Sequence, residues 1–288
     1  MTLRHPFKRT AACFAAAATL TALAGFSGQA LAQGYPNKPL KFVVPFSAGS
    51  ATDAVGRIVA QAMGEALGQP STVENKAGAN GILGAEAVKG APGDGYTFLV
   101  TTSTTQAANV SLYKKLSYDP VKDFTPIGKI GETGFILMVQ ADFPAKDMKE
   151  FIAYGKANPG KLAYGHGSSG SLVSAALLGQ MAGLEFLSVP YKSIPPALTD
   201  LLGGQLQFVF ADVGNAVSQM NGGRLRGLGV TTAKRAGKAP QVPPMGDTVK
   251  DYAMGAWFGL MAPAGLPADV KAKVGTAFAA VMAKPEVR

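Results

Sequence analysis

Two loops hold the residues best suited to chemistry, one at 45–53 and one at 164–171. The first reads Pro45-Phe46-Ser47-Ala48-Gly49-Ser50-Ala51-Thr52-Asp53 and leads from an apolar run into a helical pattern. Small residues let a backbone approach a ligand closely. The first N–H groups of a helix have no intrahelical acceptor, so such a turn solvates an anion. Ser47, Ser50 and Thr52 add hydroxyl donors, and Ser47, Ala48 and Gly49 form the expected cradle. Ser50-x-x-Asp53 also reads as a capping pair. Asp53 therefore stands between a ligand group and a helix cap.

The second loop, Tyr164-Gly165-His166-Gly167-Ser168-Ser169-Gly170-Ser171, spells G-x-G-x-x-G, and Glu185 lies twenty residues after Gly165. That is the dinucleotide-binding pattern. Against it, Glu185 opens its strand, whereas the ribose-binding acid belongs at the strand's far end. A hydrolase reading using Ser168 lacks G-x-S-x-G. His166, two residues from Ser168, is also badly placed for a triad. A capped glycine turn is the plain alternative. The expectation adopted is a second anion cradle made by His166, Gly167, Ser168, Ser169 and Ser171, facing the first across a cleft. Ser103, in the hydroxyl-rich stretch 101–106, and Asp212, after an apolar strand, complete the candidate ring. Asp212 either meets a ligand amine or hydroxyl or caps a helix starting near Gly214.

The elements that position these loops alternate in type. Apolar runs at 40–46, 71–74 and 96–101 read as strands, with helical patterns at 53–67 and 81–89 between them. The pattern restarts with strands at 135–140, 161–164, 185–190, 205–210 and 225–231 and helices at 145–157, 171–181 and 195–202. A Lys-, Pro- and Gly-rich connection over 232–248 precedes a last strand at 257–263 and a helix at 267–282. Such alternation predicts an α/β fold of two lobes, each a mostly parallel sheet flanked by helices. The expected division is 33–133 with 253–288 in the first lobe and 134–252 in the second. In open parallel sheets ligands sit beyond the carboxyl ends of the strands, where both loops fall.

Residues 1–32 read as a signal peptide: Arg4, Lys8 and Arg9, an uncharged small and apolar run, and Ala30-Leu31-Ala32 before the cut. Export to the periplasm is the expectation. Of 27 basic residues three lie in that segment, leaving 24 against 18 acidic, a net +6 that favours an anionic ligand by steering. The only cysteine, Cys13, and His5 fall there too, so the mature chain has no disulfide or thiolate metal site and one histidine, His166. No metal and no cofactor are expected. The basic residues are scattered without aromatic interleaving, which argues against nucleic acid as a partner.

Further segments carry a family resemblance. They are Tyr35-Pro36, Phe46-Ser47-Ala48-Gly49 running to Asp53 and Arg57, Asn75-Lys76-Ala77-Gly78-Ala79-Asn80-Gly81 and Pro92-Gly93-Asp94-Gly95-Tyr96-Thr97. Later ones are Tyr118-Asp119-Pro120, Val189-Pro190-Tyr191-Lys192 and Asp200-Leu201-Leu202-Gly203-Gly204-Gln205. In this order, over about 35–288, the chain resembles the Bug-type receptors of tripartite tricarboxylate transporters. The resemblance implies a type II periplasmic binding fold closing on a small organic acid, without catalysis, and delivering it to membrane permease subunits as a monomer. It places the ligand carboxylate on Ser47 to Gly49 and on His166 through Ser171, with Asp53 toward an amine or the ligand's far end. The chain departs from the family in having Ser47-Ala48-Gly49 for a usual Pro-Gly-Gly and His166 where serine is common. Its end at Pro285-Glu286-Val287-Arg288 falls where relatives usually continue. An exported enzyme using the 165–171 loop, or a sensing subunit, is the alternative.

Overall fold

The computed structural model describes residues 34–287. The segment 1–32, read from the sequence as a signal peptide, lies outside them. Residues 34–37 contain no helix or strand. The remaining chain, from Lys38 on, carries two lobes.

The first lobe begins with β1 (Leu40–Val44), α1 (Ala51–Leu67), β2 (Ser71–Asn75), α2 (Ile82–Lys89) and β3 (Thr97–Thr102). A wide turn (Thr104–Ala108) and the short α3 (Asn109–Leu112) lead to β4 (Phe124–Thr133). The second lobe holds β5 (Phe135–Gln140), α4 (Met148–Ala157), β6 (Leu162–His166), α5 (Ser169–Ala182), β7 (Phe186–Pro190), α6 (Ile194–Leu202), β8 (Phe208–Asp212), α7 (Val213–Asn221) and β9 (Leu225–Val230). The chain then returns through β10 (Ala256–Pro263) and α8 (Ala268–Ala283) to the first sheet.

The sheets have matching strand orders, β2-β1-β3-β10-β4 and β7-β6-β8-β5-β9. Both are mixed. The pairs β1–β2, β1–β3, β6–β7 and β6–β8 are parallel, as expected from the sequence. The strands β10 and β5, each entered directly after a crossing between lobes, run antiparallel to both neighbours. Every parallel strand therefore points its carboxyl end, and its loop, at one edge.

The crossings are braced. Buried Thr231 donates its N–H to the Phe135 carbonyl (2.8 Å), accepts from the Phe135 N–H at its hydroxyl (2.9 Å), and donates that hydroxyl to the Met254 carbonyl (2.8 Å). One side chain thus fixes the spacing of the two connecting strands. In the second lobe an aromatic cluster of Tyr164, Phe151, Phe186 and Phe208 fills one face of the sheet, with the Phe186 and Phe208 rings 4.8 Å apart edge-to-face. Burying these side chains at roughly 2 kcal/mol each makes the sheet a rigid platform for its loops.

Candidate functional site

Both anticipated loops begin helices, and their caps explain the local fold. Ser50 is extended and accepts the Asp53 N–H, starting α1; Gly68, in the left-handed region at φ 67°, ends it. Ser168 likewise starts α5 through a reciprocal box with Ser171. The N–H groups of the first two residues of each helix, Ala51 and Thr52 in one and Ser169 and Gly170 in the other, have no acceptor within their helix.

The two helix starts open on one narrow cleft with a cavity volume of about 30 Å³, set within about 370 Å³ of empty space that includes open solvent. The first lobe contributes Phe46, Ser50, Thr52, Thr102, Ser103, Thr104, Ala256 and Phe258. The second contributes Phe135, Gly167, Ser168, Ser193, Ile194 and Asp212. Of the expected site residues, Ser103, Gly167, Ser168 and Asp212 line it. Ser47, Ala48, Gly49, Asp53, His166, Ser169 and Ser171 do not.

Several of the residues outside the lining shape those within it. Asp53 is buried and accepts from the Gly49 N–H (3.0 Å), Arg57 Nε (3.1 Å) and Asn75 Nδ2 (2.8 Å). Burial alone would raise its pKa; the bonds from Arg57, Asn75 and Gly49 and the Arg57 charge hold it below the ordinary value. Its carboxylate is spent on holding the 47–50 turn against α1. Asp53→Ala is expected to destabilise the protein by about 2 kcal/mol in urea denaturation at neutral pH. With Asp53 present, that contribution persists above the ordinary carboxylate pKa and is lost as pH falls through the lowered folded value.

Ser171 plays the corresponding part in the other turn. Its hydroxyl oxygen accepts from the N–H groups of Gly167 (3.1 Å) and Ser168 (3.2 Å). Ser169, almost wholly buried, faces across to the first lobe. It accepts from Asn80 Nδ2 at 2.5 Å and donates to Asn109 Oδ1 at 3.3 Å, while Asn80 Nδ2 also donates to Asn109 Oδ1 at 2.8 Å. Asn80 holds a left-handed backbone (φ 54°) to do so. These three side chains pin the lobes together beside the cleft.

His166 lines a neighbouring, larger cavity of about 490 Å³ with Asn80, Tyr113, Tyr191 and Lys192, and burial pushes its pKa down. Tyr191 is held there by its hydroxyl bond to Asp200 (2.5 Å).

Asp212 ends β8 and stands opposite Phe135 in the antiparallel ladder. Its carboxyl is enclosed by protein with only part of the residue open to the cleft, and its side chain does not cap α7. Desolvation pushes its pKa up to about 6, against a small opposing pull from its own N–H. Phe46 and Thr102 fell inside the loop at 45–53 and the stretch at 101–106, but Phe135, Ser193, Ile194, Ala256 and Phe258 were not singled out by sequence reasoning. Phe135–Asp212 and Phe258–Thr102 are cross-strand neighbours, so pairing across antiparallel strands brings them in. Among the described residues no group of three or more His, Cys, Asp or Glu is placed to hold a metal ion.

Residues 55–288 match the profile described as "TctC: Tripartite tricarboxylate transporter family receptor". A Cupriavidus necator relative, "UPF0065 protein in gbd 5'region", is 36% identical, covering 100% of this chain and 87% of its own. Bordetella pertussis "Protein BugT" is 33% identical over 85% of this chain and 76% of its own. Among solved structures, MatC from Rhodopseudomonas palustris with bound malate is 34% identical, covering 88% of this chain and 87% of that one, with a TM-score of 0.82. The periplasmic binding protein BugD is also 34% identical, covering 88% and 85%, with a TM-score of 0.83.

Proposed function

Because the chain belongs to the tripartite tricarboxylate transporter receptor (TctC) family, we propose that it is a periplasmic receptor for a small organic carboxylate. The observation that carries this reading is the shared cleft between two helix N-termini, one per lobe, both in strand-to-helix turns of small residues. The N–H of Thr52, which lines the cleft, and the positive ends of α1 and α5 replace water around the anion. The hydroxyls of Thr52, Ser103 and Ser168 add donors. Malate bound to MatC, and adipate bound to another R. palustris relative 32% identical to this chain, favour a dicarboxylate.

The lobes divide at 33–133 with 253–288 and at 134–252, the two crossings forming the hinge. Their bracing at Thr231 supports a rigid-body closure in which a bound carboxylate makes the closed form dominant. The closed monomer then presents its shape to permease subunits. Apolar walls from Phe46, Phe135 and Phe258 lower the local dielectric and strengthen each bond to the anion.

Malate, succinate and adipate at saturating concentration are expected to raise the melting temperature, since a ligand at 100 times its Kd adds about 2.7 kcal/mol. Hydrolysis of simple esters and fluorescence response to a nicotinamide cofactor are expected to be absent. No thermal response to any carboxylate in a broad panel, with turnover of an ester, would replace the receptor by an enzyme.

A further inference from the structure

Ser193 belongs to neither loop named in the sequence, yet it occupies the N-cap of the third helix that starts at the cleft. An N-cap serine normally turns its oxygen onto the N–H of the second or third helical residue. Here those residues are Pro195 and Pro196, which have no N–H. The cap bond is therefore impossible by sequence, and the Ser193 hydroxyl makes none.

Its surroundings supply no substitute. Ser193 is 1% exposed, and its Oγ has no hydrogen-bond partner in the protein. Leaving a hydroxyl buried and unpaired is costly, so such groups are normally satisfied. Ser193 and Ile194 both line the cleft, so the unpaired hydroxyl belongs to a residue of its wall. Ile194, first residue of α6, has an N–H without an intrahelical acceptor. Behind them, Gly167 lies so close to the Ser193 backbone that a side chain would overlap it. The starts of α5 and α6 thus form one surface, with Ser168 and Ser193 side by side along the cleft.

We propose that Ser193 is a ligand-binding residue whose hydroxyl donates a hydrogen bond to a carboxylate oxygen of the bound acid. The paired prolines keep that hydroxyl free: they start the helix while denying the serine its usual intramolecular partner. The inference rests on the carboxylate-receptor reading and adds to it a donor outside the two glycine-rich turns. It also accounts for a buried polar group that stability alone would replace by alanine.

The test is Ser193→Ala in the full-length exported protein, with calorimetric titration of whichever of malate, succinate and adipate binds the wild type most tightly. A hydrogen bond to a charged group predicts at least a tenfold loss of affinity. The melting temperature of the unliganded variant should stay level or rise, because no protein bond is lost. Affinity within twofold of wild type would overturn the inference and leave the receptor reading standing. A fall of several degrees in the unliganded melting temperature would instead give Ser193 a structural role and overturn it too. If none of the three binds, the tightest acid from a broad carboxylate panel takes their place, and only a wild type that binds no carboxylate at all overturns the receptor reading and this one with it.

Discussion

Gly167→Ala is expected to weaken carboxylate binding at least a hundredfold and to lower the melting temperature by several degrees. A β-carbon at Gly167 would overlap the Cα, carbonyl carbon and oxygen of Ser193. These are backbone atoms, so rotating a side chain cannot relieve the overlap. The starts of α5 and α6 must separate, and overpacking of this kind costs about 1–3 kcal/mol, occasionally more. For a chain of this size each kcal/mol moves the midpoint by roughly 2–4 °C. Binding should suffer more than stability, because Gly167, Ser168, Ser193 and Ile194 all line the cleft and would be displaced together. Gly275→Ala is the control: it lies in α8 with open space where its β-carbon would stand, so it should be neutral or slightly stabilising. Unchanged affinity in Gly167→Ala would move the ligand away from these two turns.

The contrast between these glycines illustrates what was legible in the sequence. The turn at 164–171 announced itself by composition, because close approach of two backbones leaves room for small residues alone. The strand at Phe135–Gln140 was equally plain: its side chains are nearly all buried, and the sequence shows an unbroken apolar run. By contrast β4 (FTPIGKIGET) contains Pro126, two glycines and two charges, and reads as a loop. It is an edge strand whose Pro126 is tolerated there, and whose Gly128 yields its side-chain space to the Phe278 ring. No local pattern carries that information. Nor does local pattern give strand direction, so the expectation of mostly parallel sheets could not single out β5 and β10, which run antiparallel to their neighbours.

The site divides in the same manner. Helix-start chemistry is local, so both turns were legible as helix starts. Within each turn, however, sequence cannot tell a hydroxyl that faces the cleft from one that holds the turn. Ser168 lines the cleft, whereas Ser169 and Ser171, of identical type, are consumed by the lobe contact and the cap. Asp53 was consumed likewise. Ser193 did leave a signal, a serine followed at the second and third positions by prolines, which is meaningful once the cap geometry is considered.

Asp212 gives the second large effect, on both stability and pH dependence. Its folded pKa near 6 exceeds the ordinary 3.8, so the folded state binds a proton more tightly than the unfolded one. Stability therefore falls as pH rises between those values and carries the full penalty above about 6. Roughly two pKa units correspond to about 3 kcal/mol at most. Asp212→Asn is expected to recover 1–3 kcal/mol of that at pH 8 and to show little gain at pH 4, measured by urea denaturation. Binding follows the same sign. A carboxylate entering the cleft is repelled by ionised Asp212 and accepts a hydrogen bond from the neutral acid. Ligand affinity in the wild type should thus be highest below pH 6, fall as pH rises through it, and be accompanied by proton uptake. In Asp212→Asn the slope should vanish and the affinity at pH 8 should rise. His166 is the other group titrating nearby, but it faces the adjoining cavity and burial lowers its pKa. His166→Gln should therefore leave the slope in place. An affinity that instead climbs with pH would mean that Asp212 pairs, ionised, with a positive group on the ligand, and the bound acid would then be an amino acid.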